Sequence, residues 1–153
     1  YGFDEQVMLA LFNYAYDKRA LHRNYLQATA EAWSKNNIKT FNDLDAYFEK
    51  QEKRGGLYNE ISKKLNLYRK LTTYEEEDIV KWTENYGYGM DIIEIALKTA
   101  SSKNKIRFDY IDTLLTDWHQ KELNSPQEVT TYLNSIKDKE KKTKQIQKVW
   151  MIN

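Results

Sequence analysis

Residues able to do acid–base, nucleophilic or metal chemistry are few and scattered in this chain of 153 residues. The two histidines, His22 and His119, stand far apart and at no ligand spacing. No cysteine is present to act as a nucleophile, bind zinc or close a disulfide, a usage that suits a reducing cytoplasm. The densest carboxylate run, Glu75-Glu76-Glu77-Asp78, follows two threonines. Acids crowded there suit the positive end of a starting helix better than a catalytic pair. There is no Gly-rich phosphate loop, and these features together predict a protein that is not an enzyme and takes no metal and no cofactor. What is left to do chemistry is a set of cations and a set of aromatic rings.

Net charge is only +1, so any basic surface must come from local segregation. The segment from Ile136 to Asn153 holds Lys137, Lys139, Lys141, Lys142, Lys144 and Lys148 against Asp138 and Glu140 alone. Lysines of this kind bind phosphates with release of counterions, so their affinity falls steeply with salt. Trp150, near the end of the same segment, has a ring that can stack on a base. A second concentration, Lys18, Arg19, His22 and Arg23, has a counterpart in Lys103, Lys105 and Arg107. A third comprises Lys50, Lys53, Arg54, Lys63, Lys64, Arg69 and Lys70. None of these residues reads bases by itself, and no segment is recognisable as a major-groove helix. The expectation is sequence-independent contact with DNA through phosphates.

The elements that must position these residues read as helices. Gly is scarce, Pro occurs once, and runs of period-two alternation are absent. The predicted fold class is all-α. The apolar runs are short and broken by charge, so no membrane span is predicted. Sliding the sequence against itself reveals one persistent offset, 85 residues, which pairs Tyr1 with Tyr86, Gly2 with Gly87, Ala15 with Ala100, Lys18 with Lys103, Tyr25 with Tyr110, Trp33 with Trp118 and Tyr47 with Tyr132. Between these identities apolar residues face apolar ones, as in Val7/Ile92 and Leu44/Val129, and caps face caps, as in Thr40/Ser125.

The spacing predicts helices over 5–16, 22–35 and 40–48 in the first copy, and over 90–100, about 108–121 and 126–133 in the second. A further helix ahead of Tyr86 is expected to start from a capping box of Thr73 and Glu76 and to end at Gly87 in a left-handed conformation. The polar runs DKRAL and SSKNK form the loops between the first two helices of each copy, and Gly55-Gly56 reads as the linker signal. The organisation expected is a first copy over 1–50, a helical linker over 51–70, a second copy over 71–135 and a Lys-rich tail over 136–153. The first copy starts at the Tyr-Gly that closes a preceding helix in the second. Its own first helix is therefore expected to lie outside this sequence, or to be replaced by the stripe Leu57, Ile61 and Leu65.

Tyr25, Thr29 and Trp33, and again Tyr110, Leu114 and Trp118, fall at i, i+4 and i+8, within roughly 80° of one helix face. Large rings on such a stripe are expected to be core before they are contact surface. The stretch from Leu71 to Leu133 resembles the C-terminal domain of DnaD, shared with the Gram-positive replication initiation protein DnaB, whose mark is Tyr-x3-Ile-x3-Trp. The second copy departs from that mark by Leu114 and the first by Thr29. The resemblance implies a DNA-binding, self-associating primosome component that favours single strands and assists helicase loading. Its implied partners are an initiator and a helicase or its loader. Two other readings are a replisome scaffold without DNA contact and a phage or plasmid regulator bound to duplex DNA.

Overall fold

The computed structural model describes the backbone of residues 1–152 and the side chains of residues 1–151. All regular structure among the described residues is helical: α1 (Glu5–Asp17), α2 (Arg23–Lys35), α3 (Phe41–Lys64), α4 (Thr73–Val80), α5 (Met90–Ser102), α6 (Phe108–Gln120) and α7 (Pro126–Ile152). A π-helical turn, Lys81–Asn85, continues α4. The chain divides into two compact units with the boundary after Leu57, inside α3.

The first unit packs α1 against α2, and α3 adds its apolar side. Val7, Leu11, Ala30, Trp33, Ile38 and Leu44 form one buried cluster, with Phe3, Tyr14, Leu26 and Tyr47 packed on it. Helix α1 starts where the Asp4 carboxylate accepts from the Val7 N–H at 3.1 Å, satisfying one of the free donors of the first turn. His22 does the same for α2, its Nδ1 accepting from the Tyr25 N–H. At the start of α3, Thr40 Oγ1 accepts from the Asp43 N–H, and Asp43 accepts in return from the N–H groups of Lys39 and Thr40.

The second unit repeats much of this at the offset found in the sequence. Helices α5 and α6 have the same 13-residue lengths as α1 and α2 and begin 85 positions after them. Ser125 and Glu128 start α7 with the reciprocal bonds seen at Thr40 and Asp43. Left-handed residues also correspond: Gly2 with Gly87, Arg19 with Asn104, and Asn37 with Glu122. At Gly87, φ of +71° lets the chain turn out of the helix without a Cβ penalty.

The second unit also carries α4. Trp82 on the π-turn is fully buried and its indole N–H donates to Asp112 on α6 at 2.8 Å. Lys81 closes on the same carboxylate at 2.6 Å, and the Tyr86 hydroxyl meets Thr116 at 3.0 Å.

Four local expectations are corrected. The capping box of α4 is Thr72 with Glu75, one residue earlier than the sequence suggests. The register is set by Arg69, whose guanidinium grips both oxygens of Glu75 at 2.7 and 2.9 Å. The helix begun at Thr40 does not stop at Phe48 but runs to Lys64. Gly55-Gly56 lies inside it, because the Glu, Lys, Gln and Arg residues around the pair are strong helix formers and Ile61 beyond it is fully buried. Likewise α7 does not end at Leu133: the Lys-rich segment continues it as one 27-residue helix. Ser101 and Ser102, expected in a loop, finish α5.

Candidate nucleic-acid interface

The signature residues divide by depth. Trp33 and Trp118 are 2% and 1% exposed and sit in the cores of their units. Tyr25, Thr29, Tyr110 and Leu114 are half-buried on the shoulder of the same helices. The buried stripe of α6 is Ile111, Leu115 and Trp118, so the motif straddles the edge of the core rather than lying along it. Position i+8 anchors the helix, while i and i+4 are left to shape the surface.

Around the motif of the first unit, that surface is a cleft of about 400 Å³ lined by Tyr14, Tyr25, Ala28, Thr29, Ala32, Trp33, Tyr47, Phe48 and Gln51. Its rings are coupled. Tyr14 stacks near-parallel to Tyr25 with centroids 6.4 Å apart, and it lies 5.7 Å from Phe48. Trp33 meets Phe48 edge-on at 5.9 Å. Burial, and after it the neighbouring Tyr25, raises the pKa of the Tyr14 hydroxyl, which keeps it protonated and able to donate. Sequence reasoning missed this cleft. The signal was the trio Ala28, Thr29 and Ala32, small residues on one side of α2 opposite the rings of Tyr14, Tyr47 and Phe48.

The basic candidates are exposed apart from the half-buried Arg54, and the structure gives them different surroundings. Lys18 sits over the Tyr14 ring at 5.7 Å and Lys105 over the Tyr110 ring at 5.3 Å. Arg19 occupies the left-handed turn after α1, and Arg23 opens α2, whose first turn holds no acid. Arg107 pairs with Asp109 at 3.3 Å. Of the third basic run, Lys64 is tied to Glu94 and Arg69 to Glu75, so part of that charge is spent inside the unit. His22 serves as a helix cap and His119 stacks on Tyr86 at 4.2 Å.

The tail lysines gain the most from the observed helix. With α7 continuous, Lys137, Lys141, Lys144 and Lys148 recur at i, i+4, i+7 and i+11, a single stripe spanning about 60° at 100° per residue. Lys139 and Lys142 lie on the other side. Among the described residues none of these six lysines forms an ion pair. Ile146, Val149 and Trp150 are 57%, 59% and 77% exposed, on the side away from the stripe. Trp150 therefore does not share a face with the four aligned lysines.

A family model described as replication initiation and membrane attachment matches residues 1–48 and 61–133. The chain belongs to this replication initiation family. The DnaD-like resemblance read from the sequence is thereby borne out, and so is the all-α class. No curated protein and no solved structure matches. Membership ties the chain to replication initiation and its partners. Among the described residues no helix is long and apolar enough to cross a membrane, while the family's description itself couples initiation to membrane attachment. No group of histidines and carboxylates suited to a metal ion occurs among the described residues.

Proposed function

We propose that this chain is a non-enzymatic replication-initiation module that binds single-stranded DNA through its phosphates, self-associates, and assists helicase loading from the cytoplasm. We also read it as two copies of one DnaD-like domain, joined by the segment 51–70, which is helical as far as Lys64, and followed by the helical extension from residue 136. The observation that carries DNA binding is the stripe Lys137, Lys141, Lys144 and Lys148 on an exposed helix, with no acid paired to it among the described residues. A row of cations at one-turn intervals meets successive phosphates without reading bases, which supports binding that ignores sequence. The basic loops at Lys18–Arg23 and Lys103–Arg107 add further phosphate partners.

The test is fluorescence anisotropy of a labelled single strand over a range of salt, comparing the chain with a variant in which the four stripe lysines are glutamine. The variant is expected to bind more weakly and to lose about 0.7 from the log–log salt slope for each phosphate contact removed. Unchanged affinity and slope would remove the stripe from the interface. The competing reading, a scaffold docking partner proteins, draws support from the exposed apolar residues Ile146, Val149 and Trp150. Under that reading no saturable anisotropy change occurs even at low salt.

A further inference from the structure

The second unit contains a contact between two helices whose two sides recur elsewhere in the chain, each exposed. There the last turns of α3 reach α5. Lys64 donates to the Glu94 carboxylate at 3.0 Å, and Ile61, one turn before Lys64, is completely buried. Leu57 and Leu65, at i−4 and i+4 from Ile61, are half-buried. On α5, Ile93 and Leu97 beside Glu94 are buried.

The 85-residue offset carries α5 onto α1. Ile93, Glu94 and Leu97 become Met8, Leu9 and Phe12, which are 40%, 60% and 46% exposed. With exposed Tyr16 they form one stripe within about 100° of the helix surface. The same offset carries the end of α3 onto the end of α7. Ile61, Lys64 and Leu65 become Ile146, Val149 and Trp150, the exposed apolar side of that helix.

The ion pair decides how these two stripes are read. Lys64 is replaced by Val149 and Glu94 by Leu9, so both members of one contact have turned apolar together. A single exposed leucine or valine means little. A matched change on both sides is what a contact kept with new chemistry requires, and contiguous apolar stripes of this kind mark interaction surfaces. The charges added to the two stripes are opposite: Lys142 stands where α3 has Leu57, and Glu5 where α5 has Met90.

We propose that the end of α7 docks on α1 of a second copy of this chain, in the manner of α3 on α5, so that copies join head to tail. The inference rests on the self-association proposed above and supplies its two surfaces. Because the surfaces differ, each copy added leaves one of each kind free, and assembly continues into a ring or an open filament. Lys137, Lys141, Lys144 and Lys148 lie on the opposite side of α7 from the contact and stay open along the assembly.

Sedimentation equilibrium of the full chain over a concentration series tests this. The average mass of the wild type should rise with concentration above the 18.3 kDa of one chain. Phe12→Glu and Ile146→Glu each put a charge at an exposed position, and circular dichroism checks that both stay helical. Each alone should remain monomeric. Their equimolar mixture should form a 1:1 pair and nothing larger, since one variant brings an intact α7 end and the other an intact α1 stripe. Leu9→Glu and Val149→Lys, which install the second unit's own ion pair, should each weaken assembly, and the two combined in one chain should assemble more tightly than either alone. A wild type that stays monomeric at every concentration overturns the self-association reading and this inference together. Assembly that survives either glutamate substitution, or a mixture of the two glutamate variants that stays monomeric, overturns the head-to-tail contact and leaves self-association standing.

Discussion

The two units place a tryptophan at the same point of the same helix and surround it differently. Trp33 is sealed by other rings, Phe3, Tyr14 and Phe48, at 5.9 to 6.4 Å. Around Trp118 the same helix pair is filled mainly by aliphatic residues, Ile111, Leu115 and Val129, all fully buried. Trp82, Lys81 and Asp112 add a polar clasp between the π-turn and α6. One scaffold thus yields a module with a polar clasp and an aromatic module with a cleft. Aliphatic side chains pack densely and close space, whereas rings meeting edge-on or offset around small residues leave concavities.

The most severe way to test the shared part of this comparison is to remove the anchors. Trp33→Ala and Trp118→Ala should each cost about 3–5 kcal/mol, the usual range for emptying a buried aromatic site. Urea unfolding followed by circular dichroism measures both. A cost near zero for Trp33→Ala, with Trp118→Ala in range, would break the equivalence and show that the first unit's rings re-close around the gap.

The difference between the units can then be exchanged rather than destroyed. Leu114→Thr gives the second unit the residue that opens the first and should cost about 1–2 kcal/mol, because part of a half-buried side chain loses its apolar contacts. The reciprocal Thr29→Leu should change stability by less than about 1 kcal/mol, since it adds apolar volume to open space at a strained or gained contact of similar size. If both changes prove equally costly, the cleft is a packing requirement of the first unit and not a vacancy.

How much of this was legible in the sequence depended on whether the signal was local. Thr40 with Asp43 and Ser125 with Glu128 mark helix starts from residues three apart, and the structure places both starts there. The buried tryptophans followed from spacing alone. Gly55-Gly56 misled because a glycine costs a helix only about 1 kcal/mol, which a long helix with Ile61 buried beyond the pair absorbs. The register at Thr72-Thr73 was ambiguous within a run of like residues, and the deciding contact, Arg69 with Glu75, comes from the preceding loop. The cleft was out of reach for a stronger reason. It exists only where three small residues of α2 meet rings from α1 and α3, and no single helix carries that information.

The smallest effect expected sits at that Arg69–Glu75 pair, and it separates the units by pH. The Arg69 guanidinium, followed by the Thr72 N–H, lowers the Glu75 pKa from its ordinary 4.5 to about 2. A folded-state value below the unfolded one means that the carboxylate stabilises the second unit fully above about pH 4.5 and loses that contribution as pH falls towards 2. Glu75→Gln keeps an acceptor for the Thr72 N–H, so the capping box survives while the charge facing Arg69 is gone. The variant should be slightly less stable than the wild type at neutral pH, and the gap should close on acidification through that window. Thermal unfolding of both proteins at matched pH values measures it. A gap that stays constant down to the acid end would place the effect in the hydrogen bonds of the cap and not in the charge. The α4 start would then be held by the hydrogen bonds of its capping box and not by the charge facing Arg69.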